Sequence, residues 1–223
     1  FTLIFIFIVI FALIYFIVFI ERAHRKIPVQ YPKRQMGNKL FEGQTSHIPL
    51  KINTAGVIPA IFANSILLFP LTITNFMSIE GEGGFWNTIL IYLGRGKLLY
   101  LVLYVIFIVF FAFFYTSVVF NAQETASMLK RNGGFIPGIR PGEYTAEYLD
   151  KILTRLTVIG AAYISFVCIL PEYVSAKYAI PFYLGGTSFL IVVSVVLETI
   201  SQVQSSLFTY QYEGLMKKAR FRR

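Results

Sequence analysis

Long uncharged runs alternate with short charged segments along the whole chain. Residues 1–20 carry no charge, and a helix of that length rises about 30 Å, the thickness of the membrane hydrocarbon. Similar runs follow, so the pattern predicts five membrane-spanning helices. They cover about residues 1–20, 54–76, 99–120, 154–173 and 183–204. The short loop at 171–181 leaves open a second arrangement, in which the last two segments form a re-entrant hairpin.

The composition agrees with a membrane protein rather than a soluble one. Apolar residues make up 56% of the 223 residues and charged residues 14%, whereas soluble domains average roughly 45–50% and 25%. Pattern and composition together predict an all-α fold, a polytopic membrane helical bundle. The chain has a single cysteine, Cys168, and two histidines. We therefore expect no internal disulfide, no metal site built from His and Cys, and no cofactor.

The positive charges predict which segments lie on which side of the membrane. The net charge is +9, and alternate segments between the spans hold 16 against 3 of the Lys and Arg residues. The positive-inside rule places the loops 21–53 and 121–153 and the tail 205–223 in the cytoplasm. The first residue is then outside. Because the chain starts within a hydrophobic run and lacks an initiator Met, we expect it to be part of a longer protein.

The first cytoplasmic loop contains a turn signal between basic residues. Gly37 and Asn38 favour a turn, and the flanking stretches, which include Arg34 and Lys39, can pair as a short hairpin. A basic tip of this kind can dock an acidic partner, such as ribosomal RNA or an acidic protein face. The simpler alternative is that these charges only hold the topology of the chain.

The second cytoplasmic loop presents an arginine on a stiff turn. Asn121 can cap a short helix through Lys130, and Gly133 and Gly134 end it. Pro141 then favours an extended backbone at Arg140. A pre-oriented arginine loses less entropy on binding, so Arg140 is a second docking candidate, and a solvated loop arginine is the alternative.

Polar and small residues mark the second and fifth spans. Asn53 or Thr54 can cap the second span, where prolines predict a bend and Ile61 and Ser65 share a face. Gly185 and Gly186 open the fifth span and let helices approach closely. Glu198 lies near its inner end, where a wet membrane edge and an ion site are both open alternatives.

The motifs of common enzymes are absent from the sequence. It has no phosphate-binding GxxxxGK[ST], no GxGxxG and no nucleophile elbow, so we expect no enzymatic activity. A secondary transporter with broken helices is one alternative, for which Asn64, Ser65 and Glu198 supply few midmembrane polar groups. A non-conducting scaffold subunit that recruits partners through its loops is another.

Four long stretches carry a resemblance to a known family. They are residues 21–34 (ERAHRKIPVQYPKR), 43–70, 110–143 and 181–205. In this order they resemble the C-terminal half of the SecY family, the central subunits of the bacterial Sec protein-conducting channel. The resemblance covers essentially the whole chain, and the five spans would correspond to helices six to ten of the family.

The resemblance implies a function, site residues and partners. The chain would form one half of a channel that secretes proteins across the bacterial cytoplasmic (inner) membrane and releases segments laterally into it. Ile61 and Ile191 match the apolar pore ring. The further positions implied are Asn64, Ser65 and Ile66 for the pore or lateral gate, and Arg34, Lys39 and Arg140 for docking the SecA motor ATPase or the ribosome. The implied partners also include SecE, SecG, the N-terminal half of the family's chain, the translocating polypeptide and lipid.

Overall fold

The computed structural model describes residues 2–32, 34–36, 39–41, 45–77, 94, 97–178 and 185–220. The predicted turn at Gly37 and Asn38 lies outside them. The described helices are α1 (Thr2–Glu21), α2 (Ile58–Met77), α3 (Leu98–Val119), α4 (Ala122–Arg131), α5 (Glu143–Tyr178) and α6 (Gly186–Arg220). The strands are β1 (His24–Gln30), β2 (Arg34–Met36), β3 (Lys39–Phe41) and β4 (Thr45–Lys51).

Each of the five uncharged runs contains a helix. By length and composition, three described helical stretches can cross a membrane: Leu98–Arg131, Glu143–Ser175 and Gly186–Tyr210. Two shorter apolar stretches, Ile6–Glu21 and Ile58–Pro70, belong to α1 and α2. α5 continues through Pro171 to Tyr178, a length that suits a full span better than a re-entrant turn at that proline. The fold is thus a mostly helical membrane bundle.

Five helices meet in one apolar core, which holds the bundle together. Ile17 of α1, Ile108 of α3, Ile164 of α5 and Leu190 of α6 are completely buried in it. α2 contributes small residues, because its buried positions include Ala60 and Ala63, which allow its backbone to approach its neighbours. α3 packs on α2 and α5, and α6 packs on α1 and α5.

The N-terminus of α6 approaches α5 so closely that only glycine fits. A Cβ atom added at Gly186 would lie 2.6 Å from the Cα of Cys168 and 2.6 Å from the carbonyl oxygen of Val167. The expectation that small residues at this point allow close helix contact is confirmed for Gly186. At Gly185 the nearest atom would be the Thr187 hydroxyl, at 3.8 Å.

A second, separate core lies beneath an antiparallel ribbon of β1 and β4, an element that the all-α prediction did not include. Its register pairs Ile27 with Ile48 and Arg25 with Leu50. Alternate residues point inward, since Ile27 and Val29 are buried and their neighbours are exposed. They pack on α4, on the loop after it and on the first turns of α5. We call β1, β4, α4, the loop 132–142 and the first turns of α5 the ribbon unit.

α4 forms as the sequence predicts. The Asn121 side chain accepts hydrogen bonds from the backbone N–H of Gln123 at 3.1 Å and of Glu124 at 3.2 Å. These bonds satisfy two of the N–H groups that the first turn of a helix leaves free. The helix ends at Arg131, and Gly133 follows with a φ of 72°, a conformation that glycine adopts without strain.

Candidate functional site

α2 carries Ile61 on a side that no described helix covers. Ile61 is 42% exposed, whereas Ala60, Ala63 and Leu67 on the other side are buried. Ser65 follows one turn later on the same side, and its hydroxyl donates to the Ile61 carbonyl oxygen at 2.8 Å. The hydroxyl is therefore occupied by its own helix, which makes this surface less polar than the sequence implies.

Ile66 lies on a different side of α2 from Ile61. Five residues at about 100° each separate the two directions by about 140°. Ile66 is exposed on the side of Phe62, whose ring stacks on that of Phe111 in α3 with centroids 5.6 Å apart. Asn64 is half-buried between Ile61 and the packed side of α2. These three candidates therefore do not form one surface.

α6 repeats the arrangement seen at Ile61. Ile191 is 39% exposed, and its neighbours Leu190 and Val193 are buried in the bundle core. α2 and α6 both pack on α5, so the two isoleucines lie on helices that share a neighbour. Each isoleucine projects from a helix whose opposite side is anchored in the common core.

The two basic stretches on either side of Gly37 and Asn38 pair as the sequence predicted. β2 pairs with β3 in antiparallel register, Arg34 with Phe41 and Met36 with Lys39. Arg34 and Lys39 therefore lie on opposite strands at the two ends of this short ladder. The hairpin follows directly on the end of the β1–β4 ribbon.

Arg140 is exposed on a loop that is fixed on both sides. Its carbonyl oxygen accepts a hydrogen bond from the Thr145 hydroxyl at 3.0 Å. Gly138 and Gly142 have φ angles of 82° and 119°, which other residues rarely adopt. The carbonyl oxygen of Gly142 then accepts from the backbone N–H of Thr145 and Ala146, at 3.1 Å each, and so begins α5.

The structure joins the two candidate docking loops, a connection that the sequence analysis missed. Gln30 at the end of β1 and Phe135 after α4 exchange two backbone hydrogen bonds, at 2.9 and 3.0 Å. Gly134 packs against the Tyr31 ring, where an added Cβ would lie 2.9 Å from a ring carbon. The ribbon and the Arg140 loop are thus parts of one unit. The alternating apolar residues of β1 were the sequence feature that could have indicated this packing.

Asn53 connects two helices instead of capping one, so the predicted cap is wrong. α2 begins at Ile58, which is too far along the chain for Asn53 or Thr54 to cap. Asn53 is 3% exposed, and its amide donates to the Glu21 carboxylate at 2.7 Å and to the Gly56 carbonyl at 3.2 Å. The end of α1 is thereby fastened to the segment before α2.

A metal ion is held by a group of several ligating side chains that lie close together. Within the described ranges, no three His, Cys, Asp or Glu side chains lie close enough together to form such a group. The candidate residues that the structure does describe in detail are two exposed isoleucines on anchored helices and an exposed arginine on the loop of the ribbon unit.

Relatives of known function cover almost all of the chain. The protein translocase subunit SecY of Rickettsia conorii is 55% identical over 210 residues, which are 94% of this chain and 48% of the relative. The SecY subunit of Escherichia coli K12 is 51% identical over 215 residues, with coverages of 95% and 48%. The chain therefore spans about half the length of the curated relatives that it matches.

Solved structures share the fold, and the family is matched directly. A structure of a protein-conducting channel matches with a TM-score of 0.61 at 20% identity, over 87% of this chain and 47% of that chain. A structure concerned with the SecY plug domain gives 0.62 at 21% identity, over 89% and 49%. These relatives give no support to a secondary transporter. Since the SecY family matches residues 1–200, the chain belongs to the SecY family.

Proposed function

We propose that the chain forms one half of a protein-conducting channel in the bacterial cytoplasmic membrane, and that the remaining part of the protein supplies the other half. The observation that carries this proposal is the exposure of Ile61 and Ile191 on helices that are anchored in a common core. Side chains held in this way can border an aperture without losing their position when it widens. Protein translocase subunits among the relatives support the same function.

An apolar ring suits a channel that must pass many different polypeptides. Polar groups at the narrowest point would bind some segments tightly and slow them, whereas isoleucine offers no specific hydrogen bond. When the ring is empty, its apolar surface resists wetting and limits ion leakage. Ser65 agrees with this requirement, because its hydroxyl is bonded within α2.

A lateral exit is proposed along α2 and α3, on the side that carries Ile66, Phe62 and Phe111. A segment at this opening would partition between water and lipid. Apolar helices would favour the lipid, whereas a charged residue at the bilayer centre costs about 2.5–3.5 kcal/mol on insertion scales. The aromatic contact between Phe62 and Phe111 supports this assignment, because it leaves an apolar surface toward the outside of the bundle.

The ribbon unit and the β2–β3 hairpin are proposed to be cytoplasmic and to dock the SecA motor ATPase or the ribosome, the hairpin through Arg34 and Lys39 and the ribbon unit through Arg140. The excess of Lys and Arg in these segments supports the orientation. Because the sequence has no nucleotide-binding motif, the driving force would come from the docked partner. SecE and SecG are proposed as the accompanying subunits.

Crosslinking of a stalled chain tests the channel directly. A photoreactive residue at position 61 or 191 of the full-length protein should crosslink a translocating polypeptide that is stalled midway. The controls are Phe110 on α3 and Val196 on α6, which are exposed on sides that carry neither Ile61 nor Ile191. Equal crosslinking at the control positions, or none at positions 61 and 191, would reject the proposed channel.

The docking role has its own test. Arg140→Glu should weaken binding of SecA or the ribosome, and the variant should still insert into the membrane, since the loop lies outside the bundle core. Lys130→Glu on α4 makes the same change of charge at another exposed position of the ribbon unit and is the control for a general charge effect. Normal SecA-dependent export by the Arg140→Glu variant would contradict the docking role.

A further inference from the structure

Glu198 lies on the same side of α6 as Ile191. Glu198 follows Ile191 by seven positions, which is about two turns, so their directions differ by about 20° and their positions by about 10.5 Å along the axis. Glu198 is exposed, as is Val195, which lies between them on the same side. A carboxylate therefore follows the proposed pore ring at a distance of two helical turns, toward the end of α6 that carries the basic tail.

The surroundings of Glu198 show which medium this side of α6 contacts. Among the side chains that the structure describes, no Lys or Arg lies within ion-pair distance of Glu198. Gln202 extends the same side by another turn, whereas Val192 and Val196 are exposed about 100° and 140° around α6 from Ile191. A charged group in hydrocarbon is strongly unfavourable. The valine side therefore suits lipid, and the side with Glu198 requires water.

We propose that Glu198 is a specificity-determining residue of the channel, which attracts the ammonium and guanidinium groups of a passing polypeptide on their way to the apolar ring. The inference rests on the proposed channel function. Lysine and arginine side chains lose hydration as they approach Ile191, and a carboxylate two turns away compensates part of that loss. A polypeptide rich in acidic residues gains no such compensation and is repelled.

Chemical modification of a neighbouring cysteine measures the effect of this charge. Val195→Cys is introduced into the full-length protein in its membrane complex, and its reaction rates with cationic and anionic methanethiosulfonate reagents are compared. Cys168 stays in place because it is buried, and the parent protein gives its background rate. We expect the ratio of cationic to anionic rates to fall about three- to tenfold in Glu198→Gln, as Coulomb's law gives for charges about 6 Å apart with partial screening.

Two controls make the measurement specific. Glu124→Gln removes the same charge on the exposed surface of α4 and should leave the ratio unchanged. Val196→Cys, about 100° around α6 from Val195, should react much more slowly than Val195→Cys if that side faces lipid. An unchanged ratio in Glu198→Gln, or equal rates at positions 195 and 196, would overturn the proposal.

The proposal and the channel function can fail separately. If a stalled polypeptide crosslinks at position 61 while the rate ratio is insensitive to Glu198, the channel stands and the role of Glu198 is rejected. If crosslinking at position 61 is absent, the channel function itself is rejected. In export assays, Glu198→Lys should slow a substrate with a run of lysines relative to the same substrate with glutamines, and equal slowing of both would also reject the role of Glu198.

Discussion

The contact between α5 and α6 gives a sharp prediction, because two adjacent glycines differ in their surroundings. Gly186→Ala would place a methyl group 2.6 Å from backbone atoms of Val167 and Cys168, about 1 Å inside ordinary contact. Backbone atoms cannot rotate away as a flexible side chain can, so the helices must separate. Overpacking of this kind costs about 1–3 kcal/mol.

The gain from alanine only partly offsets this cost. Alanine favours a helix over glycine by about 1 kcal/mol in a helix interior, and by less at the first residue of α6. The separation of the helices also loosens the packing of Leu190, which is fully buried one turn later. We therefore expect Gly186→Ala to lower the free energy of unfolding by about 2 kcal/mol.

The matched control is Gly185→Ala. A Cβ at this position would meet the Thr187 hydroxyl oxygen at 3.8 Å, an ordinary contact, so its effect should stay within about 0.5 kcal/mol. Equilibrium unfolding of the full-length protein in detergent micelles, with the two variants side by side, measures the difference. If Gly186→Ala is as stable as Gly185→Ala, the close approach of α6 to α5 is not a feature of the folded protein.

Three further predictions concern polar contacts. Asn53→Leu removes the amide that holds Glu21 and should lower unfolding stability by about 1–3 kcal/mol, whereas Glu21→Gln keeps an acceptor and should lose less. Asn121→Ala should lower the free energy of unfolding by about 1 kcal/mol because the α4 cap is lost, whereas Asn121→Asp should retain most of that stability. Equal unfolding midpoints for the two variants would contradict the cap. Lys151, 2.8 Å from Glu147, holds the pKa of that carboxyl below its usual value. The ion pair therefore stabilises the folded protein above the pKa that Glu147 has in the unfolded chain. This stabilisation is lost as the pH falls through the lowered pKa of the folded state, so wild type and Glu147→Gln should converge in stability at acid pH.

Some parts of the fold follow from local sequence alone. The uncharged runs predicted a helix in each of the five segments, because an uncharged stretch of this length can satisfy its backbone in a membrane only as a helix. The cap at Asn121 and the pairing of β2 with β3 could also be predicted from the sequence, since they involve residues a few positions apart. The β1–β4 ribbon was not predicted, because its partners are separated by the intervening hairpin.

The candidate site likewise contains features that local spacing predicted and features that it did not. Spacing predicted that Ile61 and Ser65 share a side of α2, and the helix places them so. Spacing did not predict that Asn53 fastens the segment before α2 to Glu21, because a residue near a helix start suits a cap equally well. The family resemblance, not spacing, grouped Ile66 with the other candidates, and the helix places Ile66 on the side of Phe62 instead.

The sequence by itself determined the class of protein and the number of apolar segments. It did so because hydrophobicity, charge and helix spacing act between neighbours in the chain. Only the tertiary structure decided that Gln30 and Phe135 make the two loops one unit, and that Gly186 meets the backbone of α5. Such contacts join residues that are far apart in the chain, and their geometry depends on how every intervening element packs.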